Sequence, residues 1–223
     1  MNERSASPAR GTAQRRWMQQ WQRAARRIRV PLGFLTAGFY LYELWRQAPH
    51  PAAIAWSAAL VAPGLALRGY ASGCVKKDRA LTMTGPYAHT RNPLYLGSML
   101  VAAGFALALE SWLVAAVLAA GFAVIYVPVI AAEERFLRSI FPEYEAYCRS
   151  VPRLIPRFRP ARPQSGDGGT KVTAVATEGV AGGFSPALYM RHREYNAAIG
   201  AALLYLSLLF LRPVLAAILR GAR

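Results

Sequence analysis

Gly85-Pro86-Tyr87-Ala88-His89-Thr90-Arg91-Asn92-Pro93-Leu94-Tyr95-Leu96-Gly97 is a turn-rich run of small, aromatic and cationic residues. It opens an apolar segment, Leu94–Leu109, and the next apolar segment, Ser111–Ala131, runs up to two carboxylates, Glu133 and Glu134. Only Glu110-Ser111 separates the two segments, and so short a joint forces an antiparallel helical hairpin. The hairpin returns both acids to the level of the Arg91-Asn92-Pro93 turn. The pattern therefore predicts a polar site where two apolar helices open at one face of a bilayer.

Working outward, three more apolar stretches appear: Val30–Ala48, Ala52–Leu67 and Asn196–Leu219. The chain is 54% hydrophobic and 17% charged, with the charges gathered in blocks between these stretches. A membrane helix needs about 20 apolar residues. The expected fold is all-α: a transmembrane bundle of about five helices with a cytoplasmic cofactor pocket. The division expected is a basic interfacial segment (1–29), two membrane helices (30–68), a core with the hairpin (69–156), a linker (157–186) and a C-terminal membrane helix (187–223).

The net charge of +16 raises nucleic acid as a partner, but position argues otherwise. Eight Lys and Arg precede the first apolar stretch, one (Arg46) lies at its far end, five lie between the second and third, and ten run from Arg135 to Arg193. Basic and nearly uncharged connections alternate, as the positive-inside rule requires. No basic face for nucleic acid emerges. This orientation places the N-terminus and the acid pair in the cytoplasm, in a bacterial inner membrane. Trp17 and Trp21 share a helical face amid Arg15, Arg16, Arg23, Arg26 and Arg27, a pattern suited to an anionic lipid interface.

Beyond Glu134, the residues Phe136, Leu137, Ile140, Phe141, Tyr144 and Tyr147 follow helical spacing and predict one amphipathic helix on the leaflet. Pro128 predicts a bend in the helix that carries the acids. Prolines 152 and 156 predict an extended Val151–Pro156. Cys74 and Cys148 have no CxxC spacing, and His50, His89 and His192 are scattered, so no metal site is expected. No cleavable leader is expected either.

The expected mouth gathers cations (Arg79, Arg91), phenols (Tyr87, Tyr95), an amide (Asn92) and two carboxylates. Such a set suits a ligand that combines a cationic centre, an aromatic base and a carboxylate. S-adenosylmethionine has all three: its sulfonium and amine attract acids and aromatic faces, and its carboxylate attracts arginine.

Three blocks then resemble a known family. Arg79-Ala80-Leu81-Thr82 precedes Gly85-Pro86-Tyr87 and Arg91-Asn92-Pro93-Leu94-Tyr95-Leu96-Gly97. Glu133-Glu134-Arg135-Phe136-Leu137 precedes Phe141-Pro142-Glu143-Tyr144-Glu145-Ala146-Tyr147, and Val151-Pro152-Arg153 ends the series. In order and spacing these resemble the isoprenylcysteine carboxyl methyltransferases and the related phospholipid N-methyltransferases, over about Gly69 to Pro156. The resemblance implies that Arg79, Ala80, Leu81, Thr82, Tyr87, Asn92, Pro93, Leu94 and Tyr95 contact S-adenosylmethionine. Glu133 or Glu134, with Arg91, would serve where cofactor and acceptor meet.

Two departures stand out. Asn92 replaces a histidine of the eukaryotic members, and Val127–Ala131 lacks the arginine thought to hold a substrate carboxylate. The implied acceptor is a lipophilic molecule reached from the bilayer, its identity open, as are the separate roles of the two acids and the oligomeric state. Two rivals follow from the same sequence. One is a nicotinamide-dependent membrane reductase of similar architecture; the other is a non-enzymatic scaffold whose basic face binds anionic lipid or a partner.

Overall fold

A computed structural model describes residues 38–46, 49–75, 81–161 and 183–221, with side chains described up to Leu211. Arg79 and Ala80, the basic segment 1–29 and most of the expected linker lie outside the described residues. Two compact units divide the chain after Arg46. In the first, residues 38–46 form helix α1, where buried Glu43 accepts from Arg46 at 3.2 Å.

The second unit is all-helical among the described residues. It holds α2 (Pro51–Cys74), α3 (Pro93–Ala108), α4 (Trp112–Gly121), a π-helical turn (Phe122–Tyr126), α5 (Val127–Ile140), α6 (Tyr144–Ser150), α7 (Pro186–His192) and α8 (Tyr195–Gly221). Two helical rods, Pro51–Cys74 and Trp112–Ile140, are long and apolar enough to cross a membrane; α7 with Tyr195–Leu211, bent by 63°, makes a third candidate. Helix α3 is apolar but shorter.

Helices α2 and α3 approach closely because small residues line their seam. A Cβ added to Gly64 would meet the Gly97 carbonyl at 2.9 Å, and one added to Gly97 would meet the Gly64 carbonyl at 2.7 Å. Backbones this near gain dispersion contact and need no hydrophobic contrast with lipid, which is how membrane helices associate. At the far end of the hairpin, Glu110 adopts φ 49° and accepts from the His50 backbone at 2.9 Å, while Ser111 Oγ caps α4 by accepting from Val114.

Several expectations change. The second apolar stretch is longer than Ala52–Leu67, running to Cys74 as one helix. The π-helical turn lies immediately before Pro128, which has no N–H and would crowd the preceding turn; the wider turn makes room, and the rod continues to Ile140. The expected amphipathic helix over Phe136–Tyr147 is not one helix. Pro142 forces Phe141 into an extended conformation (φ −121°, ψ 105°), so α5 ends and α6 starts anew. Tyr144 and Tyr147 turn inward with Val151 and pack on Leu81, Met83 and Leu137. The last apolar stretch, expected as Asn196–Leu219, is one helix from Tyr195 to Gly221 that continues through Arg212-Pro213.

Candidate functional site at the mouth of the hairpin

The Gly85–Ala88 turn is made possible by one residue. Gly85 sits at φ +60°, a conformation costly for residues with a Cβ, and its neighbours there are Cys74 Sγ and the Tyr70 phenol. The turn seats Tyr87 against Ala71 and Cys74, with Leu94 packed alongside. Burial, reinforced by the Glu133 carboxylate, holds the Tyr87 phenol above its ordinary range, so it stays neutral. Pro93 then starts α3 where its missing N–H costs nothing.

The two acids have opposite surroundings. Glu134 is buried (4% exposed) and accepts from Arg153 twice, Nε at 2.9 Å and Nη2 at 2.6 Å. Arg91 Nη1 lies 3.2 Å from Oε1, which it shares with Arg153 Nε, and also donates to Cys148 Sγ at 2.8 Å. A buried carboxylate held by two guanidiniums is a fixed anion and a poor proton acceptor. Its hydrogen bond in turn raises the Arg153 pKa, which keeps that cation charged. Glu133, the next residue, is exposed and accepts from Tyr95 Oη at 3.0 Å. The Tyr95 ring meets Tyr126 edge-on at 5.5 Å, and Tyr126 stacks on Phe122 at 4.8 Å. One carboxylate locks the mouth; the other lies open beside aromatic rings.

A strap closes the arrangement. Residues 151–161 run beside the loop, with Arg91 N donating to Pro152 O (2.9 Å), Arg157 N to His89 O (3.0 Å) and Ala161 N to Ala88 O (3.0 Å). Thr90 Oγ1 donates to the Arg153 and Leu154 carbonyls, and Asn92 Nδ2 donates to Arg153 O at 2.9 Å. Tyr147 Oη donates to the Tyr87 carbonyl at 2.8 Å.

The structure thus brings Tyr87, Arg91, Asn92, Pro93, Leu94, Tyr95, Glu133 and Glu134 to one mouth. Leu81 packs on the Tyr144–Tyr147–Val151 cluster, and Thr82 lies beside it in sequence. Asn92 is buried, its amide committed to the strap. Sequence reasoning missed Thr90 and Tyr147 as organisers and named Arg153 only within a motif. The signal available for Arg153 was its place in the Val151-Pro152-Arg153 block that ends the series.

Also missed was a second ion pair. Arg68 of α2 donates to Glu194 (2.9 and 3.2 Å), at the bend before α8, and to Ser98 Oγ of α3. It ties the C-terminal helices to the α2–α3 seam. Among the described residues, no group of three or more His, Cys, Asp or Glu could hold a metal ion.

A protein all-helical over its described residues, with membrane-length apolar rods and a polar, acid-bearing mouth, is the class these features define. Residues 55–144 match the phospholipid methyltransferase family, which shows the resemblance expected from the sequence. The chain is also 43% identical over 96 residues to the cobalt-zinc-cadmium resistance protein CzcN of Cupriavidus metallidurans, covering 43% of this chain and 44% of that protein. It is 38% identical over 96 residues to the nickel-cobalt-cadmium resistance protein NccN of Alcaligenes xylosoxydans xylosoxydans, with the same coverage of 43% and 44%. The match thus spans less than half the length of these curated relatives. No solved structure matches the chain.

Proposed function

We propose that the protein is a membrane-embedded methyltransferase that uses S-adenosylmethionine to methylate a lipophilic acceptor entering from the bilayer. The observation that carries this reading is the open Glu133–Tyr95 pair set beside a locked Arg91–Glu134–Arg153 cluster, all but Arg153 within the segment 55–144 that matches a methyltransferase family.

The residues at the mouth fit the cofactor's chemistry. Arg91 Nε is buried without a hydrogen-bond partner, a donor suited to a carboxylate. Tyr95 and Tyr126 offer rings, and Glu133 offers negative charge, to a sulfonium or an amine. Thr82, Leu81, Tyr87, Pro93 and Leu94 would complete the pocket, with Arg79 and Ala80 contributing from outside the described residues. When bound, the cofactor supplies a methyl group already activated on a sulfonium.

The chain's own task is then alignment and exclusion of water, worth roughly 7–11 kcal/mol of barrier when well arranged. Glu133 is the group that takes a proton from an amine or hydroxyl acceptor; Tyr95 orients it by donating to one of its oxygens. Glu134 and Arg91 hold the backbone of the mouth. We further read the Val30–Ala48 stretch, α2, α3, the α4–α5 rod and α8 as five crossings with the mouth facing the cytoplasm, a reading supported by the arginine distribution.

The test is labelled methyl transfer from S-adenosylmethionine into a lipid extract by the purified full chain. A parallel thermal-shift comparison with NADPH addresses the reductase alternative. Transfer of label with stabilisation by S-adenosylmethionine supports the reading. Folded protein that neither binds that cofactor nor transfers label overturns it. The names of the two relatives supply a cellular readout: growth of a deletion strain in cobalt, zinc or cadmium.

A further inference from the structure

Beyond the buried Val151, the strap presents Ile155 and Phe158 to the outside. Phe158 is fully exposed (101%) and Ile155 nearly so (82%), while the same segment's backbone is pinned to residues 88–91. Pro152, Pro156 and Pro160 recur every fourth residue and prevent a helix that could fold these side chains inward. Around them the chain is strongly one-signed. From Ala146 to Gly166 there is no acid, and Arg149, Arg153, Arg157, Arg159 and Arg162 supply five positive charges.

From this combination we propose that residues 153–159 dock on an anionic phospholipid surface, with Phe158 and Ile155 entering the headgroup layer and the flanking arginines meeting lipid phosphates. Aromatic and aliphatic residues among arginines suit that layer, where apolar area is buried while guanidiniums stay hydrated. A second copy of this chain is a poor occupant, since it would bring the same excess of positive charge.

Docking also bears on the mouth. The carbonyls of Arg153 and Leu154 receive Thr90, that of Arg153 receives Asn92, and the Arg153 side chain grips Glu134. A strap held by lipid keeps those bonds made; a strap peeled away breaks them together. This inference rests on the membrane reading and not on the reaction proposed above.

Hydrogen exchange tests it without any turnover. The full chain is placed in nanodiscs of phosphatidylcholine alone, or of phosphatidylcholine mixed with phosphatidylglycerol. Anionic lipid is expected to slow amide exchange over 151–161 by roughly five-fold for each arginine engaged, and high salt to reverse it. The pair Ile155→Ser with Phe158→Ser removes the apolar anchor and is expected to abolish the lipid dependence. Arg159→Gln, a surface change that leaves the backbone bonds in place, is expected to reduce it by about five-fold even if the first variant misfolds. Equal exchange in both lipids overturns the proposal. So does protection that follows protein concentration instead of lipid charge, which would identify a second copy as the occupant.

Discussion

Glu134 and Arg153, nineteen residues apart, are joined by two hydrogen bonds of 2.9 and 2.6 Å, and Arg91 Nη1 lies 3.2 Å from Oε1, the oxygen that also accepts from Arg153 Nε. This bond pair makes three separate segments one object: the loop before α3, the body of α5 and the strap after α6. Removing Glu134 leaves two guanidiniums without their shared carboxylate, and removing Arg153 leaves the buried acid with Arg91 alone. Arg153→Ala is expected to destabilise the protein by about 3 kcal/mol, the lower end of the range for broken buried pairs because Arg153 is half-exposed. Thermal unfolding in detergent checks this. An unchanged transition would mean that the pair does not hold the mouth.

Glu133→Gln makes the complementary case. The side chain is exposed, so stability is expected to change by no more than about 0.5 kcal/mol. Methyl transfer to an amine or hydroxyl acceptor is expected to fall by about 10²–10⁴-fold with cofactor affinity retained. Single-turnover rates beside calorimetric binding separate the two effects. A variant with normal turnover removes Glu133 from the role of proton acceptor.

The Arg68–Glu194 pair predicts a particular pattern of coupling. Glu194→Leu alone leaves the partly buried Arg68 guanidinium without its carboxylate and is expected to cost about 3 kcal/mol. The double variant Arg68→Met, Glu194→Leu should recover much of that loss, because no unpaired charge remains. A thermal double-mutant cycle that shows simple additivity would contradict the pairing.

Gly85→Ala is expected to cost about 1–2 kcal/mol, the penalty of a left-handed conformation for a residue with a Cβ. Gly85→Asn should cost less, since asparagine tolerates that conformation. Equal losses in the two variants would point to crowding by Cys74 and Tyr70 instead of backbone strain, and unfolding curves distinguish the outcomes.

The tyrosines of the mouth predict behaviour in alkali. Burial raises Tyr87 and Tyr147 above their unfolded values of about 10, so the native state holds more protons than the unfolded state once the pH passes about 10. Stability should therefore be insensitive to these groups below about pH 10 and fall as the pH climbs toward the native values. Tyr147→Phe should flatten that decline while costing about 1 kcal/mol at neutral pH for the lost bond to the Tyr87 carbonyl. A pH series of unfolding midpoints for both proteins is the measurement.

Much of this was legible in the sequence because it depends on local spacing. The two-residue joint at Glu110-Ser111 dictated the hairpin, and the hairpin brought Tyr95 to Glu133 and Arg91 to Glu134. Segment ends were less legible. Tyr70 to Cys74 reads as the start of a loop, yet packing against Tyr87, Phe184 and Tyr189 keeps it helical. The uneven fates of two adjacent acids were invisible, since they hang on Arg153, whose approach depends on the turn at Pro142 and on α6. The anchoring of Glu194 was hidden likewise: its partner lies 126 residues away, and no periodicity links them.

The wide turn at Phe122–Tyr126 has a consequence for how the rod is indexed. Each residue of an α-helix advances the face by about 100°, so the extra residue accommodated there fixes which of the two neighbouring acids looks toward Tyr95. Deleting a single residue from that turn would let it relax to ordinary pitch and swing the distal half of the rod around its axis. The buried lock and the open carboxylate would lose their partners together, although no residue of either had been altered.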